Sequence, residues 1–281
     1  MRPAAEAASS SAVCEHVRTT LPGNWTVAAG SSATYPIADV CSLTNSTDAN
    51  NRFDISVGVL ALSAPDIAAL RTYENRSLKD LGYAVRPVAA TVSQNSWSVT
   101  PAAVGPWIVF FTGGRPVRVA QTSSAQGQQQ AVTAVARTIA AMPGGIPPAP
   151  AIQARPECER GTPAAKKILG GRAVARRDAI VDGNLRCHWG STRAGVATAG
   201  GGPASEPATD FAMVKDAGTP GSAAITQRVN VGEEGWQQDN GFLAFRATAD
   251  TFVTIRSVPM TPTQSAQIRT LGKAILPSYK R

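Results

Sequence analysis

Two pairs of cysteine and histidine are the residues of this sequence best suited to chemistry. Cys14 lies two residues before His16, and Cys187 is followed directly by His188. A thiolate beside an imidazole can act as a nucleophile, and both groups are common zinc ligands. Because Cys187 and His188 are neighbours in a segment with a strand pattern, their side chains should point to opposite faces. This geometry argues against joint chemistry at the second pair.

Other motifs for catalysis or ligand binding are weak. The sequence has no Gly-x-Ser-x-Gly elbow, and residues 161–166 lack the glycine before lysine that a phosphate-binding loop needs. The adjacent acids Glu233 and Glu234 stand between glycines, a pattern typical of a solvated loop. The three glycines at 200–202 are interpreted as a hairpin tip. We therefore predict no catalytic residue, no metal site and no cofactor.

An internal repeat indicates which elements position these residues. Residue 107 aligns with residue 242, and residue 117 with residue 253, so the offset grows from 135 to 136 and the intervening hairpin turn should differ by one residue. Each copy continues into an amphipathic helix that should cover the sheet. The apolar positions of the two helices are Val132, Val135 and Ile139, and Ile268, Leu271 and Ile275. Thr261 and Pro262 predict the start of the second helix.

The beginning of each half carries a matching pair of cysteines. Cys14 is predicted to open a helix, and Cys41 to close a strand 27 residues later. In the second half Cys158 precedes a helix, and Cys187 closes a strand 29 residues later. Four cysteines allow three pairings, and the repeat selects Cys14 with Cys41 and Cys158 with Cys187.

These patterns predict an α+β protein made of two tandem copies of an antiparallel sheet flanked by helices, each with one disulfide. The expected domains are residues 10–142 and 156–281, joined by a stiff, proline-rich linker at 143–155. A long strand at 52–62 in the first half has no clear counterpart in the second.

Disulfides persist in oxidising surroundings, so the cysteines favour an extracellular or cell-envelope location. The alternative is a cytosolic protein with four reduced, buried cysteines. No apolar run approaches the roughly 18 to 20 residues that cross a bilayer. The start at residues 1–4 is interpreted as truncated, with an export signal or membrane anchor removed.

The net charge of +8 is weak evidence for nucleic-acid binding. Arginine outnumbers lysine 21 to 6, which fits a GC-rich coding background. The densest basic cluster is interrupted by acids and has no interleaved aromatic residue to stack on bases. Its members are Lys166, Lys167, Arg172, Arg176 and Arg177. A weakly basic face could instead meet anionic lipid or an acidic glycopolymer.

The arrangement of cysteines, hairpins and final helices resembles extracytoplasmic actinobacterial lipoprotein and kinase-sensor domains of the PsbP-like α/β/α sandwich type. The resemblance covers residues 10–142 and 156–281 and rests on the four cysteines and the two hairpin-helix units. It implies non-enzymatic envelope proteins and supplies no catalytic residue. This chain departs from the usual single domain by having two.

We therefore expect a secreted or tethered binding or sensor protein of the cell envelope, with an unidentified ligand or protein partner. Trp25, Trp189 and Tyr279 are candidate exposed aromatics for an interface, although such residues more often pack against a core. The alternative is a secreted hydrolase of unfamiliar type that uses His16 or His188.

Overall fold

The computed structural model describes residues 9–32, 36–79, 82–87, 92–93, 95–100, 105–122, 128–171, 174–218, 226–259 and 264–280. The chain divides into two compact units. The first contains the chain up to Ser32 and Ala38–Pro150, and the second includes Ala151–Arg281. Thr261, Pro262 and Arg172, which the sequence singled out, lie outside the described residues.

In the first unit the described strands form an antiparallel sheet of seven, in the order β1-β2-β3-β7-β6-β5-β4. Its elements are α1 (Ser9–Arg18), β1 (Trp25–Ser32), β2 (Ala38–Asn45), β3 (Arg52–Gly58), α2 (Ala64–Lys79), β4 (Ala84–Pro87), β5 (Trp97–Thr100), β6 (Trp107–Thr112), β7 (Arg115–Thr122) and α3 (Gln128–Ala140).

Alternation along the strands of the first unit separates two faces of its sheet. On the inner face, Ile55, Ile108 and Val119 join the main core, which α1 and α3 cover. The outer face carries Trp97 and Arg118, and α2 lies over part of it because Glu74 of this helix binds Trp97. The unit is therefore an α/β/α sandwich.

The second unit holds a sheet of nine among its described strands, in the order β13-β14-β15-β16-β12-β11-β9-β8, with β10 also pairing with β11. Its elements are β8 (Ile152–Gln153), α4 (Thr162–Ile168), β9 (Ala175–Arg177), β10 (Ala179–Val181), β11 (Asn184–Gly190), β12 (Gly195–Gly201), α5 (Glu206–Ala217), β13 (Thr226–Val229), β14 (Glu234–Gln238), β15 (Leu243–Thr248), β16 (Thr251–Val258) and α6 (Ser265–Ile275). Short 3₁₀ segments precede α4 (Pro156–Gly161) and follow α6 (Leu276–Tyr279).

The two sheets repeat one topology. In the first unit β3 lies between β2, which carries a cysteine, and β7. In the second β12 lies between β11, which also carries a cysteine, and β16. The expectation that strand 52–62 lacks a counterpart is therefore wrong, since β12 occupies its position. The short parallel strand β8 lies within the stretch expected as a linker and pairs with β9.

The one-residue difference between the two hairpins does not lie in their turns. Gly113 and Gly114 form a two-residue turn with positive φ in the first unit. The second hairpin also closes over two residues, because Thr248 pairs with Thr251. The extra residue lies in β15, where the register shifts between Arg246 and Thr248. A β-bulge therefore absorbs the insertion.

The final helices are confirmed, because the six apolar residues that predicted them are all buried. The boundaries near the cysteines were wrong. Cys14 lies in the middle of α1 rather than at its start, and β2 and β11 continue for several residues beyond Cys41 and Cys187. The strands continue because buried residues such as Leu43 and Trp189 extend the inner face.

Candidate functional site

The four cysteines form two disulfides with the pairing that the repeat selects. Cys14 of α1 is bonded to Cys41 of β2, and Cys158 of the first 3₁₀ segment is bonded to Cys187 of β11. All four side chains are buried. Each disulfide ties a helical segment to the strand beneath it, so none of these sulfurs is a free nucleophile.

The two histidines have different environments. His16 lies partly exposed in the last turn of α1. His188 is buried, and its Nδ1 has no hydrogen-bond partner among the described residues. Burial lowers the pKa of His188 to about 4, with a smaller contribution from Arg186. The imidazole is therefore neutral at physiological pH.

Asp178 is the carboxylate next to His188, but it contacts the main chain rather than the imidazole. It accepts hydrogen bonds from the backbone N–H of Arg155 at 2.9 Å and of His188 at 3.2 Å, and it pairs with Arg176. Burial raises the pKa of Asp178, although these donors act in the opposite direction. The carboxylate thus fixes the β9–β11 junction.

One group of described residues brings three potential metal ligands together. Atoms of Cys158, Asp178 and Cys187 lie within 4.8 Å of one another. Because the two sulfurs are bonded to each other, they offer no thiolate to an ion. The carboxylate is also already engaged by Arg176.

The aromatic residues proposed for an interface are packing residues. Trp25 packs against the first core, with its ring centroid 5.6 Å from that of Phe53. Trp189 is buried and donates to Thr162 Oγ1 at 3.1 Å. Tyr279 is also buried, and its hydroxyl lies 2.7 Å from Thr198 Oγ1. Exposure was therefore a wrong expectation for Trp189 and Tyr279.

The glycines at 200–202 do not form a hairpin tip, because Gly200 and Gly201 belong to β12. A Cβ at Gly200 would lie 2.5 Å from the Tyr279 ring, and one at Gly201 would lie 2.2 Å from Ser205 Oγ. Glycine is required here because other groups approach the backbone closely.

The acidic pair borders a cavity of about 320 Å³, but both acids already have partners. Glu234 begins β14 and accepts hydrogen bonds from Trp236 Nε1 at 3.0 Å and from Lys215 Nζ at 2.9 Å. These contacts, chiefly that from Trp236, lower the pKa of Glu234. Glu233 pairs with Arg246 at 3.5 Å.

A different constellation occurs in both units, on the sheet face opposite the main core. In the first unit the guanidinium of Arg118 lies 4.4 Å from the ring centroid of Trp107, which is 7% exposed. Glu74 of α2 accepts a hydrogen bond from Trp97 Nε1 at 2.6 Å. Partial burial lowers the pKa of Arg118, while attraction to Glu74 and Asp54 opposes that change.

The second unit builds the same kind of cluster. Arg256 of β16 lies 4.8 Å from the ring centroid of Phe242, which is 5% exposed. Asp210 of α5 binds this guanidinium at 2.6 Å. We call the arginine, the buried ring beneath it and the nearby acid of the covering helix the aromatic–arginine cluster.

Strand register shows that the rings of the two clusters occupy equivalent positions. Ile108 pairs with Val119, and Leu243 pairs with Ile255, at the offsets of the repeat. The residues just before Ile108 and Leu243 are Trp107 and Phe242. The tryptophans ahead of the hairpins are equivalent as well, because Trp97 pairs with Val109 and Trp236 pairs with Ala244.

The cluster of the second unit borders a cavity of about 150 Å³. The lining residues are Asp210, Met213, Gln238, Asn240, Phe242 and Arg256. At roughly 30 Å³ per water molecule, this space corresponds to about five waters. The cavity combines an ion pair, two side-chain amides and the exposed side chain of Met213. It can therefore donate to and accept from a polar ligand that also has an apolar face.

This site was not predicted from the sequence. Its signal is an aromatic residue at the start of each repeated strand and an arginine on the next strand.

No protein-family model matches the chain, and no curated protein matches it either. Within the described part of the chain, no helix is both long enough and apolar enough to span a membrane.

Proposed function

We propose that this chain is a non-enzymatic binding protein of the cell envelope, located outside the cytoplasm, and that the aromatic–arginine cluster binds its ligand. The observation that carries this proposal is that each unit of a duplicated fold has an arginine over the buried ring at the equivalent position. Packing of a sheet face needs apolar side chains, whereas it does not need an arginine over a buried ring in both copies.

The chemistry of the second cluster favours a neutral sugar. Asp210 already compensates the charge of Arg256, so a strongly anionic ligand would have to compete with this carboxylate. Gln238 and Asn240 supply amides that can both donate and accept hydrogen bonds. Met213, which is 58% exposed, offers an apolar surface to one face of a sugar ring.

A binding role also agrees with the environment of the histidines. Neither imidazole is hydrogen-bonded to a carboxylate among the residues that the structure describes, as a general base of a hydrolase would be. His188 is buried as well. These observations do not favour the hydrolase alternative.

Titration of the full chain with glucose and N-acetylglucosamine, followed by ¹H–¹⁵N NMR, tests the ligand site. We expect the side-chain amides of Gln238 and Asn240 to shift, and Arg256→Leu to abolish these shifts. Arg246→Leu is the matched control, because Arg246 is ion-paired in the same sheet outside the cluster. Shifts elsewhere only, or equal losses in both variants, would exclude this site.

Thiol trapping tests the location. If intact source cells are treated with an alkylating reagent before lysis, the four cysteines should remain unmodified because they are already paired. Alkylation of all four would place the protein in a reducing compartment and would contradict the proposal.

A further inference from the structure

The helical layer over the main core of the second unit carries exposed cations without ionic partners. The 3₁₀ segment Pro156–Gly161, α4 and α6 lie on this side, where Ile168 and Leu271 reach the same core. Their solvent-facing cations are Arg160, Lys166, Lys167, Lys273 and Lys280, the last from the chain just after the 3₁₀ segment Leu276–Tyr279. We call these five residues the basic helical face.

The helices α4 and α6 lie side by side. A Cβ added to Gly161, directly before α4, would lie 2.9 Å from Leu271 Cδ1 of α6. Because both helices bury their apolar sides against one core, their exposed sides point in the same outward direction. The cations of the two helices therefore belong to one surface.

The basic helical face is positively charged because the nearby acidic residues are paired with other cations or lie at a distance. Neither α4 nor α6 contains an acidic residue. Of the nearby acids, Glu157 pairs with Arg155, and Glu159 pairs with the buried Arg176. The exposed Asp239 is close to the first residue of α6, since its carbonyl accepts from Ser265 Oγ. Lys273 is eight residues further along the helix, about 12 Å away.

Two exposed cations elsewhere in the same unit do have ionic partners. Lys215 binds Glu234 at 2.9 Å, and Arg256 binds Asp210 at 2.6 Å. By contrast, the cations of the basic helical face form no ion pair with any described residue. Five exposed cations without an ionic partner among the described residues therefore lie together on this surface.

Lysine is concentrated on the basic helical face. Four of the six lysines of the chain lie on the basic helical face. A coding bias that favours arginine over lysine cannot concentrate lysine at one place. Lys166, Lys167 and Lys273 lie in the last turns of their helices, where the helix dipole favours a cation, but Arg160 and Lys280 lie outside the α-helices.

We propose that the basic helical face binds the surface of a membrane that contains anionic lipids. Lysine acts as a compact point charge, which suits a diffuse negative surface better than the bidentate sites that arginine forms. The two described cavities are lined by residues of other elements, so neither provides this surface with a groove for a single polymer chain. No exposed large hydrophobic residue lies on α4 or α6 among the described residues, so binding should be electrostatic and reversible.

Co-sedimentation of the full chain with vesicles tests this proposal. We expect binding to vesicles of equimolar phosphatidylglycerol and phosphatidylcholine, and none to vesicles of phosphatidylcholine alone. About 1 M salt should release the protein, because the Debye length then falls to roughly 3 Å. Each lysine near an anionic surface contributes about fivefold to binding, so the triple variant Lys166→Gln/Lys167→Gln/Lys273→Gln should bind about 100-fold more weakly.

The matched control is Arg76→Gln/Lys79→Gln/Arg86→Gln, which removes three exposed cations from the first unit. It should bind vesicles like the unchanged protein, and the urea midpoints of both variants verify that they fold. Absence of vesicle binding, or equal losses in both triple variants, would overturn the proposal. Binding of soluble polyphosphate through the same lysines without vesicle binding would also overturn it.

The proposal goes beyond the sugar site and can fail independently of it. Arg256→Leu should leave vesicle binding unchanged, whereas the lysine variant should leave the NMR response to sugars unchanged.

Discussion

Reduction of the two disulfides should lower the free energy of unfolding of each unit by about 3.6 kcal/mol. The bridged cysteines are 27 and 29 residues apart. In the chain-entropy model, closing loops of this length removes about 12 cal/mol/K from the unfolded chain, or about 3.6 kcal/mol at 298 K. Domains of this size have a total stability of roughly 5 to 15 kcal/mol, so the effect is large.

Urea unfolding with and without a phosphine reductant measures this difference. Trp25, Trp97 and Trp107 report on the first unit, and Trp189 and Trp236 on the second. The variant Cys14→Ala/Cys41→Ala should lower the urea midpoint of the first unit. The variant Cys158→Ala/Cys187→Ala should lower that of the second unit. Each variant should leave the other transition near its original midpoint, because the effect acts through the unfolded state of one loop.

The outcome that would refute this reasoning is a change below about 1 kcal/mol after complete reduction of protein whose disulfides had been mapped by non-reducing peptide mass spectrometry. Such a result would mean that the loops are already restricted in the unfolded chain. If mapping instead found free thiols or bridges between Cys14 and Cys158, the predicted pairing itself would be wrong.

Three further measurements test other parts of the structure. The pKa of His188 falls from 6.5 to about 4 on folding. As the pH is lowered, the imidazole is therefore protonated in the unfolded chain before it is protonated in the folded protein. The free energy of unfolding should therefore decrease by up to about 3 kcal/mol as the pH falls from 6.5 to 4. Urea midpoints measured across this range should lose this contribution to their pH dependence in His188→Gln and keep it in His16→Gln. Burial raises the pKa of Glu74, so the stability due to its protonated form is lost as the pH rises above 4.5. At pH 7, Glu74→Gln should unfold no more easily than the unchanged protein because it still accepts from Trp97, whereas Glu74→Leu should cost about 1 to 3 kcal/mol; a large loss in Glu74→Gln would contradict this. Gly161→Ala should cost roughly 1 to 3 kcal/mol in urea unfolding, because its Cβ would lie 2.9 Å from Leu271 Cδ1 and 3.0 Å from the Trp189 ring, and an unchanged midpoint would show that α4 can move away from α6.

The parts of the fold that could be predicted from sequence have local periodic signals. The final helices were predicted because their apolar residues recur at helical spacing, and those residues are buried. The disulfides were predicted because similar cysteine separations, 27 and 29 residues, recur in the two halves. Both signals depend on residue type and spacing alone.

The parts that could not be predicted depend on distant contacts. The glycines of β12 have the composition of a loop, but Tyr279 and Ser205 occupy the space where their side chains would be. Likewise, Glu234 stands among glycines typical of a loop, but it pairs with Arg246 in the sheet, and its carboxylate binds Trp236 and Lys215. No spacing rule places Tyr279 against Gly200, since the two residues meet only after the sheet has formed.

The candidate site also depends on contacts between residues that are distant in the sequence, so it is visible only in the structure. Arg118 pairs with Val109 in the first unit, and the equivalent position, opposite Ala244, is Thr254. Arg256 follows two residues later and corresponds to Ala120. The two arginines thus come from different positions of the repeat, and yet each lies over the ring at the start of the preceding strand. A shared ancestral residue does not account for this likeness. What the two units share is the contact itself, which makes the aromatic–arginine cluster a better candidate for function than any single residue that the repeat aligns.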